Sequence, residues 1–137
     1  MDIKKIRDYC DRRWDESVIP ELIEYIKIPN KSPMFDPDCE KHGYIAQVVD
    51  QFTAWIERQA ILNLSMEVIR LPERTPLIFM EIPGDSENTV LLYGHLDKQP
   101  EMSGWRDGLG PWQPVLDGDK LYGRGGADDG YAIFSSL

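Results

Sequence analysis

Two stretches of the chain place metal-ligating and acid–base side chains at usable spacings. The first is Gly94-His95-Leu96-Asp97. In an extended backbone residues two apart project to the same side, so His95 and Asp97 can face one pocket at the carboxyl end of a strand, where open α/β sheets bind ligands. A neutral imidazole is a good zinc ligand, and a carboxylate behind it fixes its tautomer and direction. The same pair alone also describes a histidine satisfied by ordinary hydrogen bonds. The second stretch is Leu121-Tyr122-Gly123-Arg124-Gly125-Gly126-Ala127-Asp128-Asp129-Gly130. Its glycines permit tight turning and close approach of backbone to a ligand, and the paired acids that follow are a natural place for a cation. Alone, it reads equally as a solvated acidic turn. A nucleotide reading fails, because GxGxxG would need glycine at position 128 and no GK[ST] is present.

The two stretches are joined by a third. In order, the chain carries GHLDKQP (94–100), GWRDGLGPWQP (104–114) and DGDKLYGRGGADD (117–129). Together these resemble the metal-binding segment of the carnosinase, aminoacylase and desuccinylase superfamily of zinc-dependent hydrolases, whose pattern is GHxDxxP, a tryptophan with a proline-rich loop, then DGxLYGRGxxD. The resemblance is specific over about the last fifty residues; upstream it is one of general layout.

The resemblance implies that His95 binds one zinc, that Asp128 bridges two, and that Asp97, the candidate catalytic residue, orients His95 from behind. Asp129 would support the bridging acid. Many relatives carry lysine and glycine after the paired acids where this chain has Gly130-Tyr131, which loosens the start of the next helix and the subfamily but not Asp128. The implied activity is a dipeptidase-type metal-dependent hydrolase acting on a small peptide, with manganese or cobalt as substitutes for zinc. Two cations about 3.5–4 Å apart polarise the scissile carbonyl and lower the pKa of a water between them towards ~7, and a glutamate moves the proton to the leaving amine. The alternatives are an N-acyl amino acid deacylase or desuccinylase with the same chemistry, and a non-catalytic metal-binding or interaction module.

Two zincs sharing one carboxylate need roughly five protein ligands, and this chain matches the pattern at two, His95 and Asp128. The remaining family ligands and the glutamate base lie further along the chain in such enzymes. Residues 1–137 are therefore expected to be an incomplete, truncated N-terminal part of a metallopeptidase catalytic domain, inactive alone and exposing sheet edges and apolar surface. A homodimer is expected only of a full-length parent, since relatives pair through a separate inserted domain. His42 reads as a helix-end histidine, Glu101 and Asp107 as solvated, and Trp105 and Trp112 as packing the linking loop.

The elements that must position these groups follow from periodicity. Ile3, Ile6, Cys10, Trp14 and Val18 form one helical stripe with Asp2 as N-cap. Pro20 interrupts it before a second helical piece bearing Leu22, Ile23, Tyr25 and Ile26. After a proline-rich loop, a longer helix spans about Cys39 to Ala60, with Ile45, Val48, Val49, Phe52 and Ile56 on its apolar face. Alternation at Leu64, Met66 and Val68 predicts a strand, residues 76–82 a second, and the apolar run 89–94 a third, buried on both faces. Lys120 to Tyr122 is a short strand, and a last helix starts near Asp129. The expected class is α/β, with a mostly parallel or mixed sheet flanked by helices.

The formal net charge of −9 argues against nucleic acid as a partner, which would require a basic patch. No apolar run approaches the ~18 residues of a membrane helix, and MDIKKIRDYCDRRW lacks the apolar stretch of a secretory signal. Cys10 and Cys39 make no CxxC unit and read as reduced thiols, consistent with a cytoplasmic protein.

Overall fold

A computed structural model describes residues 2–137. Helix α1 (Ile3–Arg13) starts at Asp2, whose carboxylate accepts the backbone N–H groups of Lys4 and Lys5. These are orphan donors of the first turn, which an N-cap satisfies. The expected interruption before Pro20 is a wide π-type turn, Trp14–Val18, leading directly into α2 (Ile19–Lys27). Proline has no N–H to give the carbonyl four residues back, and the helix adjusts locally instead of breaking. The predicted stripe is only partly an inner face. Val18 is buried, but no residue of α1 is.

The long helix predicted from Cys39 is two pieces, α3 (Cys39–His42) and α4 (Tyr44–Arg58), separated by Gly43 in the left-handed region (φ 74°). Helix α4 buries Ile45, Val48, Val49, Phe52, Trp55 and Ile56. Its inner face meets Leu22, Tyr25 and Ile26 of α2 in one core cluster. Phe134, from the short terminal helix α5 (Ala132–Ser135), closes that cluster edge-on against Phe52 and Trp55, at ring centroid distances of 5.2 and 4.8 Å. The Trp55 indole N–H donates to Ser17 Oγ at 3.0 Å, so this large ring is buried with its polar atom satisfied.

The strands depart from expectation in pairing. β1 (Ser65–Ile69) and β2 (Leu77–Glu81) pair antiparallel, with Ser65 opposite Glu81 and Ile69 opposite Leu77. A parallel sheet is not formed, because residues 70–76 are too short a connection for a parallel crossover, which takes a dozen or more residues. β3 (Val115–Asp117) and β4 (Lys120–Tyr122) form a second antiparallel hairpin around Gly118. The class is mixed α and β with two small antiparallel sheets. The run 89–94, predicted as a doubly buried strand, lies outside both sheets, and Val90, Leu91 and Tyr93 are each more than 80% exposed. A strand is buried on two faces only when neighbouring strands and covering helices are supplied. Here the run instead borders an open apolar cavity of about 680 Å³ shared with β2 and α5. Among the described residues no helix is long and apolar enough to cross a membrane.

The core geometry predicts unequal sensitivities. Phe52→Ala should lower the unfolding free energy by about 3–5 kcal/mol, whereas Ile3→Ala, on the exposed stripe, should change it by less than about 0.5 kcal/mol. Urea denaturation followed by circular dichroism measures both.

Candidate metal site

The site begins at the carboxyl end of α2. The last carbonyls of a helix lack intrahelical partners and carry the negative end of its dipole. Here the ammonium of Lys98 takes that role, donating to the carbonyls of Tyr25 and Ile28 at 2.6 Å each and approaching that of Ile26 at 3.4 Å. The Lys98 nitrogen also stands 3.8 Å from the centre of the Tyr25 ring and 5.4 Å from that of Trp112, within cation–π range. Lys98 is only 1% exposed. Burial pushes its pKa down to about 7; the carbonyls and the ring face favour the ammonium and oppose that push.

The backbone around Lys98 is strapped to the same region. Tyr25 Oη and Asn30 Nδ2 both donate to the Leu96 carbonyl, at 2.8 and 2.5 Å. The Lys98 N–H donates to the Asn30 carbonyl at 2.9 Å, and the Ser32 N–H to the Lys98 carbonyl at 3.0 Å. These bonds hold Leu96–Lys98 in extended form against the loop that leaves α2.

The glycine-rich turn lies on the other side of this hub. A Cβ on Gly125 would fall 2.7 Å from Lys98 carbons, one on Gly130 would fall 2.2 Å from Tyr25 Cε1, and one on Gly123 would fall 2.3 Å from Ile26 Cγ2. Side chains there would displace the hub, so glycine is required for close approach as well as for turning. The turn then delivers Asp128 and Asp129, joined by a cis peptide, beside residues 94–97.

His95, Asp97, Asp128 and Asp129 are thus brought together. His95 Nδ1 meets the Asp97 carboxylate at 3.1 Å and its carbonyl at 3.0 Å. His95 Nε2 faces Asp128 Oδ1 at 3.3 Å. The His95 backbone N–H donates to Asp129 Oδ2 at 3.3 Å, a supporting contact. Partial burial lowers the His95 pKa, but the carbonyl and carboxylate of Asp97 and the charge of Asp128 outweigh it, and the net shift is upward. Both carboxylates thus stabilise the protonated form of the ring.

The donor set fits a metal ion in part. With Nδ1 held by Asp97, the neutral ring turns its Nε2 lone pair towards Asp128. Two ligands at zinc-ligand distances from one tetrahedral ion lie roughly 3.3–3.4 Å apart, matching the 3.3 Å found here. No group of three or more His, Cys, Asp or Glu is placed to hold a metal ion among the described residues.

Other side chains fall elsewhere. His42 pairs with Asp36 at 2.8 Å at the end of α3. Glu101, read as solvated, accepts from Lys31 Nζ at 2.9 Å and gives its carbonyl to the Trp105 indole at 2.8 Å, while Asp107 is exposed. The sequence reading missed Lys98, Tyr25 and Asn30. Their one local signal is a lysine between the site aspartate and Gln99-Pro100, and nothing local says that it is buried.

No family model matches the chain. Among curated proteins it is similar to an uncharacterized metallohydrolase of Methanocaldococcus jannaschii, 29% identical over 128 residues, covering 89% of this chain and 30% of that protein. It is also similar to the Beta-Ala-His dipeptidase of Homo sapiens, 29% identical over 135 residues, covering 93% of this chain and 26% of that protein. The chain thus spans under a third of the length of these relatives. Their names support a relationship of the metallohydrolase and dipeptidase kind, with a metal as cofactor.

Two outcomes follow from the site's electrostatics. The folded protein holds the Lys98 proton less tightly than the unfolded chain does, so between about pH 7 and the free-lysine value near ~10.4 the unfolded chain binds more protons. Stability should then rise with pH across that window, by at most about 1.4 kcal/mol per pH unit, and Lys98→Met should flatten the rise in denaturant titrations. Asp97→Asn should lower the His95 pKa, read from its imidazole carbon-bound proton shifts by NMR.

Proposed function

We propose that this chain carries one wall of the metal site of a metal-dependent hydrolase of the dipeptidase type, cleaving a peptide or amide bond. His95 and Asp128 would be its metal ligands, Asp97 the residue that orients His95, and zinc the metal, with a pair of ions in the complete site. The observation that carries this reading is the 3.3 Å approach of His95 Nε2 to Asp128 Oδ1 while Asp97 holds Nδ1. The names of the two relatives support the same chemistry.

A bound metal supplies Lewis acidity towards the scissile carbonyl and a water of lowered pKa. The chain's own residues prepare its place. Asp97 accepts a hydrogen bond from Nδ1–H and would so leave Nε2 as the ring nitrogen available to a metal. Asp128, its side chain 64% exposed, presents a carboxylate with free lone pairs on the solvent side. Asp129 fixes the backbone of His95, and the glycine turn sets how closely the two ligands approach. With two donors present, the 137-residue chain should bind metal weakly and leave β-alanyl-histidine uncleaved.

Zinc titration by calorimetry tests this. His95→Ala and Asp128→Asn should each abolish binding, and Asp97→Asn should weaken it about 10–100-fold. Zinc affinity indifferent to His95 and Asp128 would remove the proposed site, and two tightly held ions with dipeptide turnover would overturn the two-donor reading.

A further inference from the structure

A second cavity, of about 310 Å³, opens between the loop 102–109 and the β3–β4 hairpin, and the residues that line it include none of the proposed metal ligands. Met102, Trp105, Arg106, Leu109, Tyr122 and Arg124 supply most of its wall. The Arg106 guanidinium lies 5.3 Å from the centre of the Tyr122 ring, and that of Arg124 lies 5.9 Å from the centre of the Trp105 ring. Among the described residues neither arginine has a carboxylate within ion-pair distance, in a chain with 24 acidic and 15 basic residues. Arg124 Nε is buried and has no hydrogen-bond acceptor. A buried donor left unmatched is costly, and two guanidinium groups in one cavity repel each other unless an anion joins them.

The surrounding backbone holds these groups in place. The Arg124 N–H donates to the Pro111 carbonyl at 2.8 Å, and the Leu109 N–H closes a turn on the Arg106 carbonyl at 2.9 Å. The Trp105 indole is anchored on the Glu101 carbonyl at 2.8 Å. These contacts use main chain and ring, and among the described residues they leave both guanidinium groups without a carboxylate partner. We propose that this cavity binds an organic carboxylate, its carboxyl group received by Arg106 and Arg124 and its apolar part lying on the Trp105 and Tyr122 rings. Guanidinium forks match a planar carboxylate in geometry and charge. Met102, Leu109 and the two rings give an apolar substituent a surface that bare inorganic phosphate would not use.

The test is an NMR titration of the 137-residue chain that follows the Arg124 Nε–H resonance, with N-acetylphenylalanine as probe. N-acetylphenylalaninamide is the uncharged control and inorganic phosphate the charged one. The acid should shift the resonance saturably in the millimolar range, and the amide and phosphate should not. Arg106→Gln, at an exposed position, should weaken binding about fivefold, the order that an exposed charge contact contributes. Arg124→Lys should weaken it further by removing the fork, whereas His95→Ala should leave it unchanged. Equal binding of the amide, an equal response to phosphate, or indifference to Arg106→Gln would overturn the proposal. Loss on His95→Ala would reassign the signal to the metal site.

Discussion

The carboxyl end of α2 leaves the carbonyls of Tyr25, Ile26 and Ile28 inside the protein, where water cannot satisfy them, and a single ammonium group, from Lys98, meets all of them. Much of the arrangement around the site depends on that contact. Because Lys98 must reach α2, residues 96–98 run alongside the loop after it and bond to Asn30 and Ser32. Because the lysine stem and the Tyr25 ring fill the space beneath the next turn, that turn must be made of glycine at positions 125 and 130. The distance between His95 and Asp128 thus depends on groups placed behind both residues. Metal ligands are commonly held by partners behind them. For the proposed ligand His95 the support extends two layers, from Asp97 to the helix end.

Burying an ammonium is expensive unless it is paired or well hydrogen-bonded, and among the described residues this one has no carboxylate partner within ion-pair distance. Its compensation comes from dipoles: the helix terminus, three carbonyls and an aromatic face. That choice leaves the nearby carboxylates of Asp97, Asp128 and Asp129 to contact His95. A salt bridge to Lys98 would have engaged one of the groups that the proposed metal site uses. The charge arrangement therefore separates a structural cation beneath the site from acidic groups on its surface.

Much of the helical frame was legible in the residues. Asp2 caps α1, and of the apolar positions predicted on α2 and α4, Leu22, Tyr25, Ile26, Val48, Phe52 and Ile56 meet in one core cluster. β1, β2 and β4 occur near their predicted positions, because alternation and turn residues are local signals. The failures share a cause. The stripe on α1 and the run Val90–Tyr93 are apolar, and apolarity states a need for cover without naming what provides it. Pairing direction was equally hidden in composition, and the seven-residue link 70–76 decided it. Gly43 divided a helix that periodicity alone would have continued.

For the site, the residue types and their spacing by themselves determined that His95 and Asp97 share a side and that a glycine turn presents paired acids, because each of these relations is local. That His95 Nε2 and Asp128 meet, although 33 positions apart, was suggested by family resemblance and settled in space only by the fold. Tertiary structure alone decided that Lys98 is a buried helix cap and not a surface charge, and that Arg106 and Arg124 line one cavity. The reason is physical. A side chain's chemistry belongs to its residue, but its burial, its partners and hence its pKa belong to whatever the rest of the chain packs around it.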